Sequence, residues 1–437
     1  MRSDAGAGQR DDTADDSTDD SSKDIPDDAT LDETPPTEPR RPLTPLLMPH
    51  DGIPDVVVDE RRLVEAAQAI ASGTGPVAVD AERASGHRYG QKAYLVQLRR
   101  AGSGTWLIDP VACPDLGPVA EGIGDAEWVL HAATQDLPCL AQVGLRPTKL
   151  FDTELGARLV GLPRVGLGAA VEHYLGFSLA KEHSAVDWST RPLPEPWLRY
   201  AALDVEELIE LRDAVATDLE AQGKTQWALE EFDALVHFEG PPIRVDPWRR
   251  TSGMHRVRKR RGLATVKELW LTRDRIAERR DTSPGRVLPD AVLVELANLA
   301  PTTVQELNET RELRPARRNA KVWLDAIRRA QSLPESALPP LALAGTGPPP
   351  ARAWAEREPV AAARLVQVRA EIAAFGAQHS VPVENVLTPD VLRRLLWAPP
   401  ADLSEAGIAA ALTALGARPW QVTITAPMIA RACADHR

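Results

Sequence analysis

Val77-Ala78-Val79-Asp80-Ala81-Glu82 is an apolar run that closes on two carboxylates spaced by one residue. Alternate side chains of a strand face the same way, so Asp80 and Glu82 project together from the end of a short buried strand. A second apolar run, Trp128–His131, is followed by Asp136. A helix-like segment then puts Tyr200 four residues ahead of Asp204, on one helical face. Four carboxylates within about 4 Å of one another repel by roughly 4 kcal/mol per pair at an effective dielectric near 20. A fold that gathers them must bring cations in as well, which makes Asp80, Glu82, Asp136 and Asp204 candidate ligands of divalent metal. Taken singly, each acid has a plainer explanation: a strand-ending turn for Asp80, a helix N-terminus after Thr134 for Asp136, a solvated helix face for Asp204. Their ordered combination is what points to chemistry.

Working outward, residues 52–218 carry a mixed α/β pattern. Val56–Val58 predicts a strand, residues 60–71 an amphipathic helix through Leu63, Ala66, Ala67 and Ile70, and Pro76–Val79 a buried strand after the Ser72–Gly75 turn. Further strands are predicted at Tyr94–Leu98, Trp106–Asp109 and Trp128–His131, with helices at about 135–142, 152–160, 167–174 and 196–218. Strands in front and helices behind imply an open mixed sheet covered on both faces. After residue 218 the β signal fades. A basic helical connector (219–261) leads to an Ala/Leu/Arg-rich helical segment (262–331), a Pro/Gly-rich linker (332–355) and a second helical segment (356–437). The two segments share a pattern: Arg273-Asp-Arg-Ile276-Ala277 leads to Val287-Leu288-Pro289-Asp290, and Arg369-Ala-Glu-Ile372-Ala373 leads to Val386-Leu387-Thr388-Pro389-Asp390. A duplicated small helical module is the simplest account.

Composition narrows the classes. At 437 residues, with 43% hydrophobic and 26% charged side chains, the chain has the make-up of a multidomain globular protein, and no apolar run approaches the roughly 20 residues of a membrane span. The N-terminus shows no basic start followed by an apolar segment, so a cytoplasmic location is expected. Cys113, Cys139 and Cys433 form no CxxC pair, against both a disulfide framework and a zinc ribbon. The net charge of −12 speaks against a polyanionic partner only at first sight. Residues 1–41 hold 13 acids and 5 bases, so −8 of the charge belongs to them and −4 to all the rest. Residues 1–45, rich in Asp, Ser, Thr and Pro, are expected to form a disordered acidic tail, either solubilising or competing with nucleic acid for a basic groove.

The motifs together resemble the DnaQ-like 3′–5′ exonucleases of the DEDD type, and most closely the ribonuclease D family. The resemblance runs through Val77–Glu82, Tyr94-Leu-Val-Gln97-Leu, His131-Ala-Ala-Thr-Gln-Asp136-Leu and Phe151-Asp152-Thr153-Glu-Leu. It continues in Lys181, in Asp187-Trp188-Ser-Thr-Arg191-Pro192-Leu193 and in Tyr200-Ala-Ala-Leu-Asp204-Val, and so covers residues 52–218 in the family's order. It implies a ribonuclease H-like α/β exonuclease domain followed by two small all-α helical bundles like the helicase-and-ribonuclease-D C-terminal (HRDC) domain, the second copy divergent. It also implies that Asp80, Glu82, Asp136 and Asp204 bind two Mg²⁺ or Mn²⁺ ions, which suit an all-oxygen ligand set. Tyr200, with a reference pKa of about 10, would orient the attacking water rather than ionise. The expected activity is 3′-end trimming of structured RNA such as tRNA precursors, releasing nucleoside 5′-monophosphates. The alternatives are a DNA exonuclease and a catalytically silent RNA-binding scaffold. Ala132 departs from the Asn that many relatives in the wider superfamily carry; that Asn is often not a ligand, so the metal assignment stands.

RNA contacts are expected from Lys181 and Arg191 and from the basic run between 244 and 261, chiefly Arg256, Arg258, Lys259 and Arg260, with Trp248 available for stacking. The same run can equally be a solvated helix face. Asp152 is expected to cap a helix with Thr153 rather than bind metal, and His131 to be structural. Gly166-Leu-Gly168 imitates a dinucleotide fingerprint, but no strand precedes it, and there is no GxxxxGK motor motif. No membrane and no obligate protein partner is expected.

Overall fold

The computed structural model describes residues 42–179, 185–343 and 347–436. The acidic tail up to residue 41 and Lys181 lie outside the described residues. The strands are β1 (Thr44–Leu46), β2 (Val56–Val57), β3 (Thr74–Arg83), β4 (Ala93–Ala101), β5 (Gly104–Ile108), β6 (Trp128–Leu130), β7 (Leu150–Asp152) and β8 (Phe177–Leu179). Helices α1 (Glu60–Ser72), α2 (Gly117–Ile123), α3 (Leu137–Gln142), α4 (Thr153–Leu159), α5 (Leu167–Leu175), α6 (Glu195–Glu206), α7 (Leu208–Ala221) and α8 (Thr225–Val236) complete the first part. The main sheet has the order β2-β5-β4-β3-β6-β7. Its β3-β4-β5 meander is antiparallel, whereas β6 and β7 join β3 in parallel and β2 joins β5 in parallel. This is the mixed sheet the sequence implied. Strand β1 pairs separately with β8, so Thr44 and Pro45, assigned to the tail from composition, belong to a strand.

The alternation of β3 decides where the acids point. Val77 and Val79 face one side, packing with Leu63, Ala66, Ala67 and Ile70 of α1, with α2 and with α3. Ala78 faces the other side, packing among residues of α7. Asp80 and Glu82 share the parity of Ala78 and therefore lie on the face that carries α6 and α7. The predicted strand at Pro76–Val79 is longer than expected, because β4 continues the pairing through Asp80↔Gln97 and Glu82↔Leu95. The acids thus stand on a hydrogen-bonded strand in the middle of the sheet. Opposite them, the single helix expected over 196–218 is broken at Glu207 (φ −107°, ψ 13°) into α6 and α7. Helix α1 follows its expected course: the Asp59 side chain caps Arg62 N, and Ile70 is fully buried. Burial of such a side chain contributes about 1.5–3 kcal/mol.

The helical part comprises α9 (Arg260–Arg280), α10 (Pro284–Val287), α11 (Asp290–Leu299), α12 (Val304–Glu309), α13 (Ala320–Gln331), α14 (Trp354–Arg357), α15 (Pro359–His379), α16 (Val383–Val386), α17 (Pro389–Trp397), α18 (Glu405–Ala414) and α19 (Pro419–Asp435). The repeated sequence pattern has a structural counterpart. In each copy a 21-residue helix ends on a left-handed residue, Asp281 (φ 45°) or Ser380 (φ 52°), followed by a four-residue helix and then a longer one. The copies are used differently. Helices α9, α11 and α13 close their own core around Trp248, Leu269, Leu293 and Trp323. Helices α15, α17 and α19 share one continuous core with α4, α7 and α8. Trp227 stacks on Trp420 at 4.8 Å. Lys224 Nζ donates to Leu159 O and His379 O. The first copy touches the catalytic part through polar groups, Ser283 Oγ donating to Gly86 O and Tyr89 to Asp274. Among the described residues no helix is long and apolar enough to cross a membrane, and Cys113, Cys139 and Cys433 are buried free thiols.

Candidate active site

Helix α6 packs across β3, β4 and β5, which brings Tyr200 and Asp204 over the two acids of β3. Asp80, Glu82 and Asp204 each offer a carboxylate oxygen, all within 4.8 Å of one another. Asp136, at the head of α3, approaches from the neighbouring parallel strand side, close enough to feel the charge of Asp80 and for its own charge to act on Glu82 and Asp204. These residues line one cavity of about 620 Å³ together with His131 and Arg164. Residues separated by about 120 positions thus meet on one cleft floor.

Burial and mutual repulsion set the electrostatics of this cluster. Burial raises the carboxyl pKa of Asp80, and it raises those of Glu82, Asp136 and Asp204 well above the usual range, with the charges of the neighbouring acids adding to the effect in the last three. The protein cation beside them is Arg83, whose Nε lies 3.8 Å from Asp136 Oδ1 and which also reaches Gln135. Tyr200 hydrogen-bonds Asp204, and burial followed by the charges of Asp204, Glu82 and Asp80 pushes its phenol upward, so the hydroxyl keeps its proton. Gln97, directly across the ladder from Asp80, is fully buried with neither end of its amide hydrogen-bonded. A set of clustered oxygen donors with excess negative charge fits hard divalent cations.

Asp152 has a larger role than helix capping alone. It caps α4 as expected, accepting from Glu154 N and Leu155 N, and also accepts from Ala132 N at 3.0 Å and Ala133 N at 2.9 Å. These last two bonds pin the turn that carries Asp136, in which Ala132 adopts a left-handed conformation (φ 59°). Burial lifts the Asp152 carboxyl to about 6 against the pull of those N–H donors. His131 is neutral, lowered by burial to about 4, and its Nδ1 pairs with Thr153 Oγ1 at 2.9 Å. Asp152 and Gln97 stand within the sequence motifs and Arg83 just after the first of them, but the sequence carried no signal of their partners.

Several of the expected RNA contacts are engaged within the protein. Arg191 uses all of its donors inside the protein: Nε and Nη2 on Asp109, Nη2 on Tyr94 O, and Nη1 on Trp188 O and Thr190 O. It clamps a loop and has no donor left for phosphate. Arg260 donates to Pro339 O, Glu335 O and Leu338 O, and Arg256 pairs with Glu295 at 2.6 Å. Trp248 is a core residue, 1% exposed beneath Arg249, and cannot stack on a base. Arg258 and Lys259 remain exposed and unengaged among the described residues.

Comparison with known proteins agrees with this geometry. A 3′–5′ exonuclease family model matches residues 54–220, an HRDC domain model residues 262–327, and a model of a 3′ to 5′ exonuclease C-terminal domain residues 347–433, where the second helical copy lies. Ribonuclease D of Gluconacetobacter diazotrophicus is 31% identical over 339 residues, covering 75% of this chain and 82% of its own. A crystal structure of a protein from Bifidobacterium adolescentis superposes with a TM-score of 0.81 at 38% identity, over 90% of this chain and 100% of that one. The structure of Escherichia coli RNase D, described as an exoribonuclease involved in structured RNA processing, matches with a TM-score of 0.63 at 25% identity, over 87% and 99% of the two chains. The chain therefore belongs to the ribonuclease D family and is a hydrolytic 3′–5′ exonuclease.

Proposed function

We propose that the protein trims the 3′ ends of structured RNA, with tRNA precursors as the substrate class, releasing nucleoside 5′-monophosphates, and that Asp80, Glu82, Asp136 and Asp204 hold two Mg²⁺ or Mn²⁺ ions. The observation that carries this is the convergence of Asp80, Glu82 and Asp204 within 4.8 Å, where Arg83 is the cation whose charge acts on Asp80 and Glu82 among the described residues. Divalent ions held there would supply Lewis acidity to a phosphodiester and to its attacking water. Asp80 and Glu82, fixed on a central strand, keep the donor positions rigid. Tyr200, protonated and braced by Asp204, directs a water by hydrogen bonding. Asp152 holds the Asp136 turn in place through Ala132 and Ala133.

The RNA preference is supported by the names of the relatives, and the metal by the donor set. Purified protein incubated with 3′-labelled RNA and DNA oligomers, in metal and in chelator, tests both. Stepwise release of mononucleotides from RNA that stops in chelator is the expected outcome. Release from DNA alone, or undiminished release in chelator, overturns the proposal.

A further inference from the structure

The segment 84–91 leaves the cleft directly after Glu82 and is gripped from outside by the first helical module. Ser283 N and Oγ bond His87 O and Gly86 O, Arg286 Nε donates to Gly86 O at 2.9 Å, and Arg286 Nη2 meets His87 Nδ1 at 2.8 Å. From Glu82 to Gly86 the chain can span at most about 14 Å, so Arg286 stands close behind the wall of the catalytic cleft. Between them lies a cavity of about 350 Å³ lined by Arg83, Gly86, His87 and Gln91, which shares Glu82 and Arg83 with the catalytic cavity. Arg286 also lines a further cavity of about 320 Å³, together with Arg280, Arg318, Thr282 and Asn319. Arg286 thus ties the segment that leaves the cleft to a cavity lined by two further arginines.

These arginines differ from those of the basic connector. The guanidinium groups of Arg280 and Arg318 make no hydrogen bond or ion pair among the described residues, and Nη1 of Arg286 is also unengaged. The nearest acid in sequence, Asp281, is turned toward Arg88 and Tyr89 N of the catalytic part. Like charges that converge on a polar cavity without protein anions are arranged to receive an anion, and the planar fork of arginine matches a phosphodiester. We propose that Arg280, Arg286 and Arg318 form a phosphodiester subsite for the RNA strand behind its 3′ end, an inference that rests on the exonuclease function proposed above.

The test is RNA binding by the full-length protein in chelator, read by fluorescence anisotropy with a single-stranded RNA of about 20 nucleotides and with a trinucleotide, at several salt concentrations. The double variant Arg280→Glu, Arg318→Glu is expected to bind the long RNA at least about tenfold more weakly. Its log affinity against log salt should flatten by about 0.7 for each phosphate contact removed. The ratio of long to short RNA affinity should fall with it, and Arg280→Lys with Arg318→Lys should keep most of the ratio. Should the double variant melt early, Arg318→Glu alone, an exposed side chain, carries the same comparison. An unchanged ratio overturns the subsite, as does an equal loss for both probes. Nucleotide release by the unmodified protein is scored separately: release with an unchanged ratio overturns the subsite alone, and a changed ratio without release overturns the exonuclease function alone.

Discussion

The cleft floor and the basic connector are both dense in charge, and they have opposite fates. Four acids scattered along 125 positions are gathered by the sheet and by α6, with Arg83 the cation that acts on them among the described residues. Three arginines of the run 249–261 are instead drawn into the protein: Arg249 to Pro340 O, Arg260 to Leu338 O, and Arg261 to Ala330 O, Leu333 O and Glu335. They satisfy carbonyls where α13 ends and the chain turns back, a common position for cations at a helix C-terminus. Charge that the fold has not neutralised is the charge available to a ligand. Density along the sequence says little about that.

The most severe way to break the contrast is at the floor of the cleft. Asp80→Asn or Asp204→Asn should lower nucleotide release by about 10³-fold or more, beyond the 10–100-fold usual for outer-sphere partners of a metal site. Thermal melting of the metal-free variant should not fall, because one repelling charge has gone. Near-normal turnover in either variant would remove the cluster from the chemistry. Tyr200→Phe should slow release by about 10²-fold with little change in substrate affinity, measured as kcat against KM. An equal rate would reduce Tyr200 to packing beside Asp204.

Asp152→Asn probes how the floor is held. It replaces an acceptor of four N–H groups by an amide that must turn a donor toward one of them, so a loss of about 1–3 kcal/mol in urea unfolding and a 10–100-fold rate loss are expected. A rate loss without any loss of stability would mean that Asp152 acts on the substrate rather than on the turn. The charge state of the floor gives a pH test. Buried carboxyls whose pKa lies above the unfolded value bind more protons in the folded state, so metal-free stability should fall as pH rises from about 4. Added Mg²⁺ or Mn²⁺ should cancel that fall, and its effect on the melting temperature should shrink as pH is lowered. A metal-free melting temperature that climbs through the same range would contradict the burial of these acids.

The smallest effects belong to the connector. Arg261→Ala should cost about 1–2 kcal/mol of stability through its lost carbonyl contacts and leave RNA affinity nearly unchanged. Reversal of the exposed Arg258 and Lys259 should leave stability alone and weaken RNA binding only by their share of the salt slope. If Arg261→Ala weakens RNA binding without loss of stability, the connector is a binding track after all.

Much of the catalytic part was legible because its signals are local. The apolar alternation of Val77–Glu82, the i to i+4 spacing of Tyr200 and Asp204, and the repeated helix pattern at 273–290 and 369–390 each follow from backbone period alone. The three-residue strands β7 and β8 were missed because so short a run shows no period. The extension of β3 to Arg83 was missed because pairing with β4, not propensity, lengthens it. Arg191 and Trp248 were misjudged for a related reason: an exposed-looking Arg or Trp in sequence carries no mark of a carbonyl or a core that will claim it.

By itself the sequence determined the kinds of element, the parity that puts Asp80 and Glu82 on one face, and the inventory of acids able to bind metal. Those follow from periodicity and side-chain chemistry, which act over a few residues. Only the tertiary structure decided which charges remain unneutralised, that Asp152 restrains the Asp136 turn, and that one helical copy merges with the catalytic core while the other touches it through polar groups. Such outcomes depend on partners 19 to 200 positions away in the chain, as in the bonds of Asp152 to Ala133 and of Arg286 to Gly86. No local pattern encodes that proximity, because it is set by how whole elements pack.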